Sequence, residues 1–148
     1  MDAPSGWQTE YSIEADAAPE EIWALFRDVP GWTQWNAGIE TIVLEGPFAQ
    51  GTTFVMKPPG EEAFRSTLIE VRENECFVDE TRVGDLIVTV EHRIQRLGPS
   101  RTRIIYTVDA RGDGATEIGP MISADFPDVL AALVRLAEDN RSGRPTER

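Results

Sequence analysis

A single cysteine, Cys76, and a single histidine, His92, are all that this chain of 148 residues carries of the two side chains most used for metal and redox chemistry. One cysteine forms no internal disulfide, and one histidine excludes His-rich zinc sites, CxxC pairs and the HExxH pattern. Neither a metal nor a nucleotide cofactor is expected, because Gly112-Asp113-Gly114 reads as a turn with no phosphate-loop continuation. Positive charge is scarce as well: 14 Lys and Arg stand against 26 Asp and Glu, a formal net charge of −12. The basic residues are dispersed, not gathered in a stripe, so nucleic acid is not an expected partner. The same charge disfavours anionic lipid surfaces and leaves neutral or cationic small molecules open. Long apolar runs are missing too. The N-terminal MDAPSGWQTEYS has neither a basic leader nor an apolar run of signal-peptide or membrane-span length, so no stable membrane insertion and a cytoplasmic address are expected.

What is present suffices for one core. Hydrophobic residues make up 41% of the chain, which suits a single domain over residues 1–139. The final NRSGRPTER, residues 140–148, is polar, basic and turn-rich and reads as a flexible tail. A monomer and a homodimer both fit this composition.

The most informative stretch is AAPEEIWALFRDVPGWTQWN, residues 17–36. Asp16 or Ala18 precedes a first helical turn, Pro19 suits the N1 position, and Glu20 and Glu21 sit where the helix dipole favours anions. Ile22, Leu25, Phe26 and Val29 keep the spacing of a buried stripe, and Pro30-Gly31 stops the helix. Trp32 and Trp35 then share one side of a short turn and present an apolar surface that protein or ligand must cover.

Strand-like alternation precedes and follows this helix. Residues 7–15 form a first strand, and the runs 38–45, 52–58, 64–73, 76–82, 86–96 and 102–110 follow as antiparallel neighbours separated by turn residues. From Met121 the period changes: Ile122, Phe126, Val129, Leu130, Leu133, Val134 and Ala137 recur at helical spacing. Pro127 lacks a donor and crowds the carbonyl four residues back, so a kink or a restart with Asp125 as N-cap is expected.

The run APEEIW, followed by Asp28, Pro30, Trp32, Trp35 and Asn36, resembles the opening of the polyketide cyclase/dehydrase-like branch of the START/Bet v 1-like (SRPBCC) superfamily. The resemblance extends from about Trp7 to Asp139. It implies an α+β helix-grip fold: a curved antiparallel seven-stranded sheet wrapped around a long C-terminal helix, with two short helices after strand 1. It also implies a cavity between sheet and helix. Periodicity supplies the order of elements; the resemblance supplies the wrapping.

Chemistry is concentrated in few residues. His92 shares a strand face with Leu86, Val88, Val90 and Ile94, so its imidazole points with the aliphatic side chains, either as a hydrogen-bonded core histidine or as a ligand-facing group. A hairpin centred on Gly84 opposes Cys76 to His92 and admits a thiolate–imidazole dyad; a two-residue Gly84-Asp85 turn opposes Phe77 instead. Of the adjacent acids Asp79 and Glu80, one must face inward, and it would be the best acid–base group available. Tyr106 shares its face with Ile104 and Val108, and its hydroxyl needs a partner.

Candidate catalytic residues are thus His92, Tyr106 and Asp79. The candidate ligand lining is Trp35, Phe54, Met56, His92, Tyr106, Met121, Phe126 and Leu130, although Met and aromatic residues of this kind also make plain core. The first functional reading is binding of a hydrophobic small molecule, such as a lipid, polyketide or isoprenoid, in the cavity. The second is a cyclase/aromatase-like enzyme that uses polar cavity groups for enolisation or dehydration. A third, an interaction module, would be supported by an exposed Trp7 or Trp32 or by an apolar surface patch beyond a few hundred Å².

Overall fold

A computed structural model of the chain describes residues 6–141. Its elements run β1 (Gly6–Ala15), α1 (Pro19–Arg27), a 3-10 helix (Val29–Gln34), β2 (Thr41–Leu44), β3 (Thr53–Lys57), β4 (Phe64–Arg72) and β5 (Cys76–Val83). Then follow β6 (Leu86–Gly98), β7 (Arg101–Arg111), α2 (Ala115–Ser123) and α3 (Phe126–Arg141). The seven strands form one antiparallel sheet in the order β1-β7-β6-β5-β4-β3-β2. This is the helix-grip arrangement, with α3 packed mainly on β1 and α1. The tail expected from residue 140 lies outside the described residues beyond Arg141, up to which α3 continues.

Local chemistry accounts for most boundaries. Pro19 occupies the first turn of α1, and the Glu21 carboxylate accepts the Ala18 N–H at 2.7 Å, satisfying a donor that the helix start leaves orphaned. Beyond Arg27 the chain tightens into the 3-10 helix, which contains Pro30-Gly31. There Trp32 donates its indole N–H to the Phe26 carbonyl at 2.8 Å. Protein covers both indoles: Trp32 and Trp35 are each 5% exposed, so Trp32 lends no support to an interaction module. The edge strand β2 and its neighbour β3 are shorter than the sequence runs 38–45 and 52–58.

The inner face of the sheet follows the two-residue period. Leu86, Val88, Val90, His92 and Ile94 of β6 and Thr102, Ile104, Tyr106, Val108 and Ala110 of β7 are all buried. Thr102 is satisfied by the Ala17 carbonyl at 2.6 Å. Opposite them α3 buries Val129, Leu130, Leu133, Val134 and Ala137. A register shift between Leu68 and Glu70 bends β4 as a bulge does, adding to the curvature that lets the sheet close on the helix.

The C-terminal helical region restarts near Asp125, as Pro127 leads one to expect, but it does not begin at Met121. It starts six residues earlier as α2, which contains Pro120, breaks at Ala124-Asp125, and restarts as α3 with Pro127 in its first turn, where a missing N–H is harmless. Alpha helix α2 is fastened to β1: the Tyr11 and Ser123 hydroxyls lie 3.4 Å apart, and Ser123 also donates to the Gly119 carbonyl at 3.1 Å. Gly119 is where the Trp7 ring rests, and a Cβ there would overlap the indole. Alanine for glycine inside a helix ordinarily gains up to about 1 kcal/mol. Here Gly119→Ala is expected to cost about 1–3 kcal/mol through overpacking, measured as a lowered urea midpoint with an unchanged slope.

Candidate functional site

Three adjacent strands bring together the polar groups of the interior. In the β5–β6 hairpin Phe77 faces His92 and Asp79 faces Val90; in the β6–β7 pair His92 faces Tyr106. The two-residue Gly84-Asp85 turn is therefore the one formed, and Gly84 supplies the positive φ it needs. Cys76 pairs with Arg93 instead of His92, which removes the thiolate–imidazole dyad. Its buried thiol is pushed up in pKa by desolvation and has the Glu70 carboxylate 3.9 Å away. Asp79 is the inward acid, while Glu80 turns out to meet Arg82 at 3.0 Å.

His92 Nδ1 lies 3.2 Å from the Phe77 carbonyl, an oxygen that can only accept, so Nδ1 carries the proton and Nε2 presents a lone pair. That lone pair faces Asp79, with Oδ2 at 3.9 Å. The separation exceeds hydrogen-bond length, and burial disfavours the charged form of each group. Desolvation lowers the His92 pKa to about 3 and raises that of Asp79 to about 7, so in mildly acidic solution both are neutral and the contact is not an ion pair. The Tyr106 phenol is pushed up by burial first and by the Asp79 charge second. Its hydroxyl is buried with no hydrogen-bond partner among the described residues.

Aromatic rings surround this trio. Phe77 stacks on His92 with centroids 3.9 Å apart and planes 7° from parallel, and Tyr106 meets His92 edge-on at 4.5 Å. Phe26 touches both from α1, at 6.0 and 6.4 Å, and Phe126 covers Tyr106 from the start of α3 at 5.5 Å. The rings fill the interior at this level. Even so, the inward-pointing His92 and Asp79 side chains keep 10% and 14% of their surface accessible.

The residues expected to line a pocket have mixed positions. Trp35, Phe54 and Leu130 are buried in the core with His92 and Tyr106 nearby; Met56 and Phe126 are half-buried at its margin. Met121 is 72% exposed on α2 and is not brought to the others, because the helical stripe begins before it and turns it outward. A hollow of about 410 Å³ lies between Glu10, Ser12, Glu14, Arg103 and Ile105, on the outer side of β1 and β7 and away from the trio.

Sequence reading missed Phe26 and Phe77 as walls of the site and the Ser66–Thr81 hydroxyl pair, 2.6 Å apart on the same inner face. The parity of β5, once its register with β6 is known, identifies Phe77, Asp79 and Thr81 as one inward set. Together Tyr11, Tyr106, His92, Asp79, Thr81 and Ser66 form a polar seam across β1, β7, β6, β5 and β4 in an otherwise apolar interior. The seam offers one carboxyl titrating near neutrality, one imidazole lone pair and several hydroxyls.

Solved structures with this fold include the Zhui aromatase/cyclase from Streptomyces sp. R1128, 17% identical with a TM-score of 0.77 over 96% of this chain and 98% of that one. A norcoclaurine synthase from Thalictrum flavum is 13% identical with a TM-score of 0.76 over 95% and 99%. A START superfamily protein from Mycobacterium smegmatis is 16% identical with a TM-score of 0.72 over 89% and 97%. At such identities the likeness concerns the fold alone. No curated protein matches the sequence. The family model for polyketide cyclase/dehydrase and lipid transport matches residues 6–138, nearly the whole of the sheet and both helical ends, and the chain accordingly belongs to that family.

Proposed function

We propose that this protein binds a small hydrophobic molecule, of lipid, polyketide or isoprenoid character, between the sheet and α3, with the polar end of the guest at Asp79, His92 and Tyr106. The observation that carries the reading is the Tyr106 hydroxyl: a buried hydroxyl without a partner costs about 1–3 kcal/mol, and a polar group of the ligand would recover it. The open surface left on His92 and Asp79 supports the same place. Apolar burial against Phe126, Leu130 and Phe54 would supply affinity at roughly 25 cal/mol per Å².

A second reading, acid–base catalysis of enolisation or dehydration, draws on Asp79, whose carboxyl changes protonation near pH 7 as a general acid or base should. His92 weakens it. An imidazole held to about 3 is a feeble base at neutral pH, so the pair suits orientation of a ligand better than proton abstraction.

Nile red fluorescence and native mass spectrometry of freshly purified protein test the binding reading. Saturable enhancement or a retained adduct is expected. Tyr106→Phe is expected to weaken binding severalfold while raising the stability of the ligand-free protein by about 1 kcal/mol, since it deletes an unpaired group. Absence of any probe binding together with absence of any adduct would reject the reading.

A further inference from the structure

The trio at the centre of the sheet has an acceptor on every member, and its uncommitted donors are the Tyr106 hydroxyl hydrogen and, when protonated, the Asp79 carboxyl. His92 has committed Nδ1–H to the Phe77 carbonyl, so Nε2 only accepts. Asp79 only accepts when ionised, and the Tyr106 oxygen has lone pairs and no partner among the described residues. Among the described residues no Lys or Arg is in ion-pair range of them. Among the described residues, the sole ion-pair-range neighbour of Asp79 is His92, and its strand partners are Leu68 and Val90. Many of the arginines are engaged elsewhere, on the outer surface, as in Arg65–Glu45, Arg82–Glu80 and Arg101–Glu14. Aromatic faces from Phe77, Phe26 and Phe126 stand around the trio, and the whole protein carries a net charge of −12, which draws cations toward it.

An ammonium group is the chemical complement of this arrangement: three donors, no acceptor, positive charge and affinity for aromatic faces. We propose that the site recognises the primary ammonium group of a small aromatic amine, its three N–H donors directed to the Asp79 carboxylate, His92 Nε2 and Tyr106 Oη. This narrows the binding reading and rests on it. A neutral alcohol brings one donor and no charge, and a carboxylate brings no donor and would repel the ionised form of Asp79. Uptake of the cation ionises Asp79, so below its folded pKa the carboxyl proton leaves to solvent as the ammonium arrives, and charge is conserved within the site.

Benzylamine, benzyl alcohol and benzoate are near-isosteric and test the assignment by isothermal titration calorimetry on the full chain near pH 6, with Nile red as a neutral reporter of hydrophobic binding. Benzylamine is expected to bind at least about tenfold more tightly than the alcohol, with benzoate weakest. Repeating the titration in buffers of different ionisation enthalpy should reveal proton release with the amine alone, a readout on the unmodified protein. Asp79→Asn should abolish both the amine's advantage and the released proton. If the alcohol equals the amine, or if Nile red binds while no amine does, the ammonium assignment is overturned and the binding reading stands. If no probe binds, both fall.

Discussion

Phe26→Ala is expected to lower the free energy of unfolding by about 3–5 kcal/mol, a large share of what holds a domain of this size together. Phe26 is fully buried and meets five rings: Trp23, Trp35, Phe77, His92 and Tyr106, with centroids between 5.1 and 6.4 Å. Deleting it removes the transfer energy of a benzyl group and leaves a hole that five constrained rings cannot collapse to fill. Urea unfolding monitored by tryptophan fluorescence measures the loss. A cost below about 1 kcal/mol would mean that the ring cluster is loose, contrary to the contacts described.

The second large effect is in the pH profile of Asp79→Asn. Unfolded, Asp79 loses its proton above its ordinary 3.8; folded, it keeps the proton to about 7. Between these values the native state binds the extra proton, so this group's contribution to stability is whole at low pH and lost as pH rises through 7. His92 has the opposite sign. The unfolded imidazole takes a proton below 6.5 and the folded one refuses it down to about 3, so its contribution is whole above 6.5 and lost as pH falls. The two slopes oppose each other wherever the windows overlap, and asparagine removes only the first.

The stability of the variant relative to wild type should therefore climb between roughly pH 4 and 7, at up to about 1.4 kcal/mol per pH unit, and level off above. Surface carboxylates held low by basic partners, such as Glu45 beside Arg65, titrate in both proteins and cancel in the difference. Parallel profiles across this range would contradict the desolvation of Asp79.

Much of this fold is written in short-range signals. Pro19 with two acids behind it, the alternation of 86–94, and the stripe Val129, Leu130, Leu133, Val134, Ala137 each encode an element directly, because one face must be buried and the period says which. The inward aim of His92 and Tyr106 was legible for the same reason. What joins them to Asp79 was not. Opposition of Cys76 or Phe77 to His92 depends on one residue of turn length at Gly84-Asp85, and a slip of one exchanges Asp79 for Glu80 on the inner face.

Helix α2 escaped notice because Gly119-Pro120 reads as a breaker. Only the Trp7 ring, more than a hundred residues away in sequence, explains why a glycine belongs there. Met121 was placed on the lining by extrapolating the α3 period backward through a break that resets it.

That break also divides the interior. The residues under α2, among them Val88, Val90, Val108 and Ala115, form a cluster separate from the one beneath α3, and Phe126 is packed against both. The two helices nonetheless share one ring: Phe126 at the start of α3 bridges both clusters, and it is the same ring that roofs Tyr106, so a change at that position reaches both clusters and the candidate site at once.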